Sequence, residues 1–396
     1  MTIAFSLLIL LLACVSLFLS LWIVVPAPTM LLFPLGVGAP EVSPWLVGLS
    51  AIVLALAIGG RHLTPWMYGA IGLSLVSLIL SLLPLQQFAT ADRQAAQVMQ
   101  SALGQGYFTR ITPAQTTLMR PTPLNLIQVF QGIPTSPGRY QPDIPFATPN
   151  GSPLTLDLYQ PTQAGPHPGM IVLYGGAWQN GSPREHIPFN QYLAAQGYTV
   201  FAISYRHAPR YRFPAQLEDV RSALQFIRQH ANQYDTDPDR LVLVGRSAGA
   251  HLALLAAYQS DAPPIRAVVG YYGPVDLIEG YRDLPTPDPL QVQTVLKTFL
   301  GGPPEALTPL YQAASPMYAV RPGLPPTLLI YGQRDHIVMA KFGRQLYDRL
   351  RQTGNTAVFI EIPWAEHAFD AVFQGLSNQL ALYYTERFLA WAVRPE

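Results

Sequence analysis

The first ninety residues nearly lack charge. Between Met1 and Ala91 only Glu41 and Arg61 are charged, whereas charges recur at ordinary density from Asp92 onward. Cysteine is almost absent too. Cys14 lies alone inside the first apolar run, so no intramolecular disulfide can form and the later chain has no thiol for catalysis or metal binding. A disulfide-free chain survives in either redox environment, so this says little about compartment. There is no basic run, and a net charge of +1 excludes recruitment of nucleic acid by a global field. A chain of 396 residues predicts two or three regions, and composition breaks near residue 90.

What fills the charge-poor stretch is apolar. Ile3 to Val25 holds no charge. At about 1.5 Å per residue it is long enough to cross a hydrocarbon core of roughly 30 Å. A shorter run, Trp45 to Ile58, precedes Gly59-Gly60-Arg61-His62, and a third spans Trp66 to Leu83 between Pro65 and Pro84. Residues 1–90 are therefore expected to form a transmembrane region of about three helices, with Trp22, Trp45 and Trp66 as interfacial anchors. The second run is short enough to be tilted, re-entrant or longer at its N-terminal end. A cleaved signal peptide fits less well, because no Lys or Arg precedes the first run. Buried helices of a soluble fold would show amphipathicity, and none is visible. Arg61 puts the second short loop in the cytoplasm by the positive-inside rule, so the region after the third run would face outward.

Residues 91–140 read as a linker. Asp92 to Leu103 suits a short helix, and Pro113, Pro121, Pro123, Pro134 and Pro137 then forbid long ones. This connector would lie on the membrane surface or on the region that follows. From 141 to 396 short β-type runs alternate with helical stretches. The apolar runs are Leu154–Tyr159, Met170–Tyr174, Thr199–Ser204, Leu241–Val244, Ala267–Tyr272, Thr327–Tyr331 and Val358–Ile362. Helical candidates are Pro214–Tyr234, Ala248–Tyr258, Met339–Gln352 and Asp370–Val393. Continuous β-branched runs alternating with helices predict an α/β fold, a mostly parallel sheet with helices on both faces.

One segment carries chemistry. Leu241-Val-Leu-Val-Gly245-Arg246-Ser247-Ala248-Gly249 is a buried strand, then G-x-S-x-G, then a helix start. Such a turn presents a serine hydroxyl at the C-terminal edge of a sheet, where the helix N-terminus favours developing negative charge. Serine needs a base, and in this arrangement the acid and then the histidine follow it in the chain. His251, His336 and His367 qualify by order. His251 sits on the serine's own helix, His336 adjoins the best acid, and His367 occupies a loop just past the last strand. His367 is the expected base. Asp335, after the preceding strand, is the expected acid, holding the imidazole tautomer. Asp276 is the second candidate, with a loop-capping carboxylate as its other reading. Oxyanion donors are expected from the amides of Ala248, Gly175 and Gly176, the last two in Tyr174-Gly-Gly-Ala-Trp178.

These residues bring a resemblance with them. Residues 150 to 396 resemble the α/β-hydrolase fold-3 esterases, especially the bacterial feruloyl-esterase-like and hormone-sensitive-lipase-like carboxylesterases. Tyr174-Gly-Gly-Ala-Trp178, Ser204-Tyr-Arg-His-Ala-Pro209, Phe213-Pro-Ala-Gln-Leu-Glu-Asp219, Gly245-Arg-Ser-Ala-Gly249, Ala314-Ser-Pro316, Gly332-Gln-Arg-Asp335 and Glu366-His-Ala-Phe369 keep the family order. The resemblance implies an α/β-hydrolase cleaving carboxylic esters with no metal or organic cofactor, and assigns Ser247, Asp335 and His367 the same roles. Tyr174 stands where the family usually has a histidine that braces the oxyanion loop, which puts rate and loop geometry in question. The N-terminal membrane segment has no place in the family pattern.

Other residues are expected to shape the site. Trp178 lines the substrate pocket or packs. Residues 280–309 form a cap in which Leu296, Phe299 and Leu300 face the substrate or fill its core. Arg206 ties loops together with Glu218 and Asp219. The expected partners are a small-molecule or lipid ester and the bilayer, with no nucleic acid. An amidase or peptidase on the same triad, and a non-catalytic membrane-bound binding protein, are the alternatives.

Overall fold

The computed structural model describes residues 3–59, 64–136 and 138–394. Arg61, on which the expected sidedness rests, lies outside the described residues with Gly60, His62 and Pro137. The seven apolar runs of the second half become strands of one eight-stranded sheet, the last seven in chain order. Its strands are β1 (Arg139–Ala147), β2 (Leu154–Gln160), β3 (His167–Leu173), β4 (Thr199–Ile203), β5 (Thr236–Arg246), β6 (Ala267–Tyr271), β7 (Thr327–Gly332) and β8 (Ala357–Ile362), in the order β1-β2-β4-β3-β5-β6-β7-β8. β2 pairs antiparallel with β1 and β4, and the remaining pairs are parallel. Leu241 to Val244 and Ala267 to Val269 are wholly buried, because helices cover both faces of the sheet.

β1 has no counterpart among the expected strands. It is an edge strand, buried only at Ile144, and Pro142 and Pro145 accompany its register shifts. Proline and irregular pairing suit an edge, where unpaired backbone groups face solvent. Two helical expectations also change at their ends. The stretch after β4 is a helix over Ala215–Gln229 followed by a separate 3-10 turn, Ala231–Tyr234, and the last helix begins only at Leu376.

The N-terminal part holds helices Ile3–Leu21, Phe33–Glu41, Ser43–Ile58 and Pro65–Leu103. Two are long and apolar enough to cross a membrane, and the second and third, bent 80° against each other, count as one more if taken as a single broken span. Ser16, Ser20, Ser50, Ser77 and Ser81 meet between these helices in a chain of hydroxyl bonds of 2.8–2.9 Å. Small polar residues let backbones approach, and each hydroxyl finds a partner.

Pro84 does not end the third apolar run. It sits inside a 39-residue helix whose buried stripe runs unbroken from Met67 through Ser77, Pro84, Phe88, Ala95 and Leu103. Proline removes one helical hydrogen bond, but beyond it Phe88, Ala91, Ala95 and Met99 join the sheet's core, and Phe88 stacks on Trp364 at 5.7 Å. Burial of that face outweighs the lost bond. One rod thus links the membrane-type helices to the sheet. The connector after it lies on the C-terminal helix, Leu376–Ala392. The Arg120 amide donates to Glu386 (2.8 Å), and the Asn125 amide to Gln379 (2.8 Å).

Candidate active site

The site forms where the sheet changes direction. β3 lies between β4 and β5, and loops leaving the C-terminal ends of β3 and β5 diverge there, which opens a crevice. Ser247 follows β5 in a left-handed backbone conformation, φ 51° and ψ −121°, and helix Ala248–Tyr258 starts directly behind it. A sharp turn of this kind needs its neighbours bare. A Cβ on Gly249 would run into the carbonyl oxygens of Leu173 and Tyr174.

Ser247, His367 and Asp335, drawn from three loops, meet in one chain of hydrogen bonds. His367 Nε2 lies 2.9 Å from Ser247 Oγ, and His367 Nδ1 lies 2.7 Å from Asp335 Oδ2. A carboxylate only accepts, so the ring proton belongs on Nδ1 and the Nε2 lone pair faces the serine hydroxyl. The other carboxylate oxygen, Oδ1, is held by the amides of Ile337 (2.8 Å) and Val338 (2.6 Å). Burial pushes the Asp335 carboxyl up, and the adjoining His367 opposes that shift. The arrangement can take a proton from the serine hydroxyl and stabilise the imidazolium that results.

The loop after β3 stands over the serine. Gly176, Ala177, Trp178 and Ala248 line the same cavity as Ser247 and His367. Gly175 is the close neighbour, since its Cβ position would lie 3.2 Å from Ser247 Cβ. Gly176 adopts φ 111°, and a side chain there would strike Asn180. Tyr174 is stacked on Tyr205 with ring centroids 4.4 Å apart, and its hydroxyl meets His207 Nε2 at 2.9 Å. Tyr205 in turn donates to the Tyr174 carbonyl at 3.0 Å. Burial pushes the Tyr174 phenol up, so it stays neutral. Tyr174 is thus tied into the base of the loop.

The remaining expected residues fall into place around this centre. Asp276 caps helix Leu277–Arg282, accepting from the amides of Ile278 and Glu279 at 3.1 Å each, and also borders the cavity. His251 is wholly buried beneath the serine. Trp178 Nε1 donates to its Nδ1 (3.1 Å), and its Nε2 lies 2.5 Å from the Ala314 carbonyl. His336 bonds Glu366 through Nδ1 at 2.6 Å. Trp178 lines the cavity and also packs, stacking on Phe299 at 4.2 Å. Of Leu296, Phe299 and Leu300 only Leu296 borders the cavity, while Phe299 and Leu300 are buried in the main core. Arg206 pairs with Asp219 (2.8 Å) and Glu218 (3.2 Å).

Sequence reasoning missed several neighbours. Glu366 holds the His367 and His336 amides at 2.8 and 2.7 Å, and its place beside His367 in the chain was the available signal. The Tyr272 ring packs on His367 at 4.4 Å. Phe33 and Met30, from the charge-poor N-terminal region, also border the cavity, which has a volume of about 370 Å³. Nothing in their local sequence marks them.

Known proteins share the fold and the broad activity. Residues 156–350 match the family described as BD-FAE. A probable carboxylic ester hydrolase of Mycobacterium tuberculosis, LipM, is 28% identical over 336 residues, covering 78% of this chain and 76% of that protein. Esterase LipQ of the same organism is 30% identical over 269 residues, covering 62% of this chain and 63% of LipQ. The butyrate-bound structure of a thermophilic esterase, Est2 of Thermogutta terrifontis, aligns with a TM-score of 0.50 at 26% identity, covering 63% of this chain and 90% of that one. By its sheet and by these relatives the chain is a serine-carboxylesterase-like hydrolase of the α/β-hydrolase fold.

Proposed function

We propose that the protein is a membrane-anchored carboxylesterase working through an acyl-enzyme. Ser247 Oγ attacks the ester carbonyl while His367 Nε2 takes its proton. The amides of Gly175, Gly176 and Ala248 receive the tetrahedral oxyanion. His367 then protonates the departing alcohol, and a water molecule, activated by the same imidazole, releases the acid. The observation that carries this reading is the Asp335–His367–Ser247 hydrogen-bond chain at the floor of an apolar cavity. The anchor is read from the apolar helices Ile3–Leu21 and Pro65–Leu103, with the bent pair between them as a third, broken crossing. Placing the hydrolase region outside the cytoplasm rests on Arg61 alone.

The test is hydrolysis of p-nitrophenyl esters from acetyl to palmitoyl by the full-length protein and its Ser247→Ala variant. The variant should lose on the order of 10⁴ to 10⁶ in kcat, as when a serine nucleophile is removed elsewhere. Turnover surviving in the variant would sink the mechanism.

A further inference from the structure

The hydrolase sheet does not supply the whole wall of its own cavity. Phe33 lines it and is only 6% exposed, packed in a small cluster with Ala27, Val37 and Ile337. Ile337 is a cavity residue whose amide holds Asp335. The N-terminal segment therefore touches the loop that positions the acid. Beside Phe33, Met30 lines the cavity while 44% exposed, and the neighbouring Leu31 is 87% exposed.

This segment is pinned to the hydrolase region on both sides. Ahead of it, the Arg334 side chain donates to the Val24 carbonyl. Behind it, the fully buried Glu41 accepts from the Ser377 amide (2.8 Å) and hydroxyl (2.5 Å). The wall is thus a fixed part of the cavity, not a loop that happens to rest near it. Its height follows from the first helix. Nineteen residues, Ile3–Leu21, give a rod close to the thickness of a hydrocarbon core. With Ile3–Leu21 spanning the bilayer as proposed, the stretch after Trp22 comes out at the boundary between acyl chains and headgroups. An exposed methionine and leucine at that level are at ease against lipid and would be poorly placed in water.

We infer that Met30 and Phe33 make the active-site cavity a port for bilayer-resident esters, which enter with an aliphatic chain lying against these two side chains. The inference rests on the proposed esterase activity of Ser247 and on the proposed membrane anchor, and adds the substrate class. The N-terminal region is then a specificity element as well as an anchor. An apolar chain passes from lipid to an apolar wall without crossing water, and the ester group, held near the membrane boundary, reaches the serine last.

The experiment uses full-length protein in phosphatidylcholine nanodiscs and compares kcat/KM for p-nitrophenyl octanoate with that for p-nitrophenyl acetate. Ser247→Ala is run first on both esters. If wild type and Ser247→Ala behave alike, the esterase reading falls and this inference with it. If turnover depends on Ser247, the ratio of the two rates tests the wall. Phe33→Ala should lower the octanoate-to-acetate ratio about tenfold, because only the longer chain reaches the lost ring. Met30→Trp, at a half-exposed position that needs no space in the core, should lower the same ratio at least threefold by narrowing the entrance. Ratios within twofold of wild type in both variants would overturn the inference, and so would a parallel fall on both esters, which a merely structural role would produce.

Discussion

The two ends of this chain differ in what they turn outward, although both bury apolar side chains such as Ile9 and Val53 in the N-terminal helices. Around the sheet, Leu241 to Val244 and Val268 to Val269 are fully enclosed, and the few charges inside sit against named partners. In the N-terminal helices Leu7, Leu8, Leu11 and Phe18 face outward, and the wholly buried groups include Ser16, Ser20, Ser50 and Ser77. Both arrangements follow one rule, that a group is buried when the surroundings would solvate it badly. Water drives apolar side chains inward. Lipid has no quarrel with leucine but leaves a hydroxyl without a partner. The contrast supports the proposed membrane anchor by a physical argument that does not depend on helix length.

The sharpest contrast concerns charge. Arg246, next to the serine, is 1% exposed and pairs through Nε with Asp370, which also accepts from the Tyr272 hydroxyl. Burial alone would raise the Asp370 carboxyl, but the charges of Arg246 and His186 and the hydrogen bonds from Arg246 and Tyr272 together hold the group below its usual value. The guanidinium also lies over Phe189 at 4.0 Å. Arg246→Met would strand a buried carboxylate and should cost about 3–5 kcal/mol, read as the urea midpoint of the detergent-solubilised protein. Adding Asp370→Leu should recover part of the loss, because no charge is then left unpaired. A single variant as stable as wild type would mean that the sheet region tolerates naked charge, and the comparison would fail at its strongest point.

Periodicity and motif carried much of this fold. The buried strands were legible because residues enclosed on both faces form continuous apolar runs. Ser247, Asp335 and His367 could be picked out because each follows a strand, in the order expected for this fold, and the structure brings the three within hydrogen-bonding distance. What stayed hidden depends on partners distant in the chain. β1 looks polar since only Ile144 faces inward. Pro84 reads as a helix stop unless one knows that Phe88 and Met99 will be buried on the sheet. Phe33 and Met30 look like any apolar residues of a membrane segment, and only the tertiary fold brings them to the cavity.

His251 sharpens the comparison by pH. Its ring is buried with no counter-charge, and burial lowers its pKa from 6.5 to about 4, while the Ala314 carbonyl opposes the shift. The Trp178 N–H can only donate, so His251 Nδ1 must accept and stay unprotonated. The folded pKa lies below the unfolded one. The neutral ring therefore stabilises fully above about pH 6.5, and that contribution drains away as pH falls towards 4, by about 3 kcal/mol in all. His251→Gln keeps an acceptor for Trp178 and a donor for Ala314 but cannot titrate. Between pH 7 and pH 4 its denaturation midpoint should fall less than that of wild type. Equal acid sensitivity in the two proteins would show that the ring does not carry this term.

The smallest effect belongs to the helices. Ser77 meets the hydroxyls of Ser16 and Ser50 at 2.8 Å and of Ser20 at 2.9 Å, so it is the centre of the serine chain. In water-soluble cores, removing the centre of a buried polar network would be severe. Inside a membrane the separated helices also find partners for their hydroxyls, and interhelical bonds of this kind contribute only about 0.6 kcal/mol on average, with a maximum near 1.7. Ser77→Ala should therefore cost roughly 1 kcal/mol, measured by titrating the micelle-bound protein with a denaturing detergent, and should leave Ser247-dependent hydrolysis intact. A loss as large as that of Arg246→Met would mean that the N-terminal helices are held together as a water-soluble core is, and that their outward leucines are covered by something other than lipid.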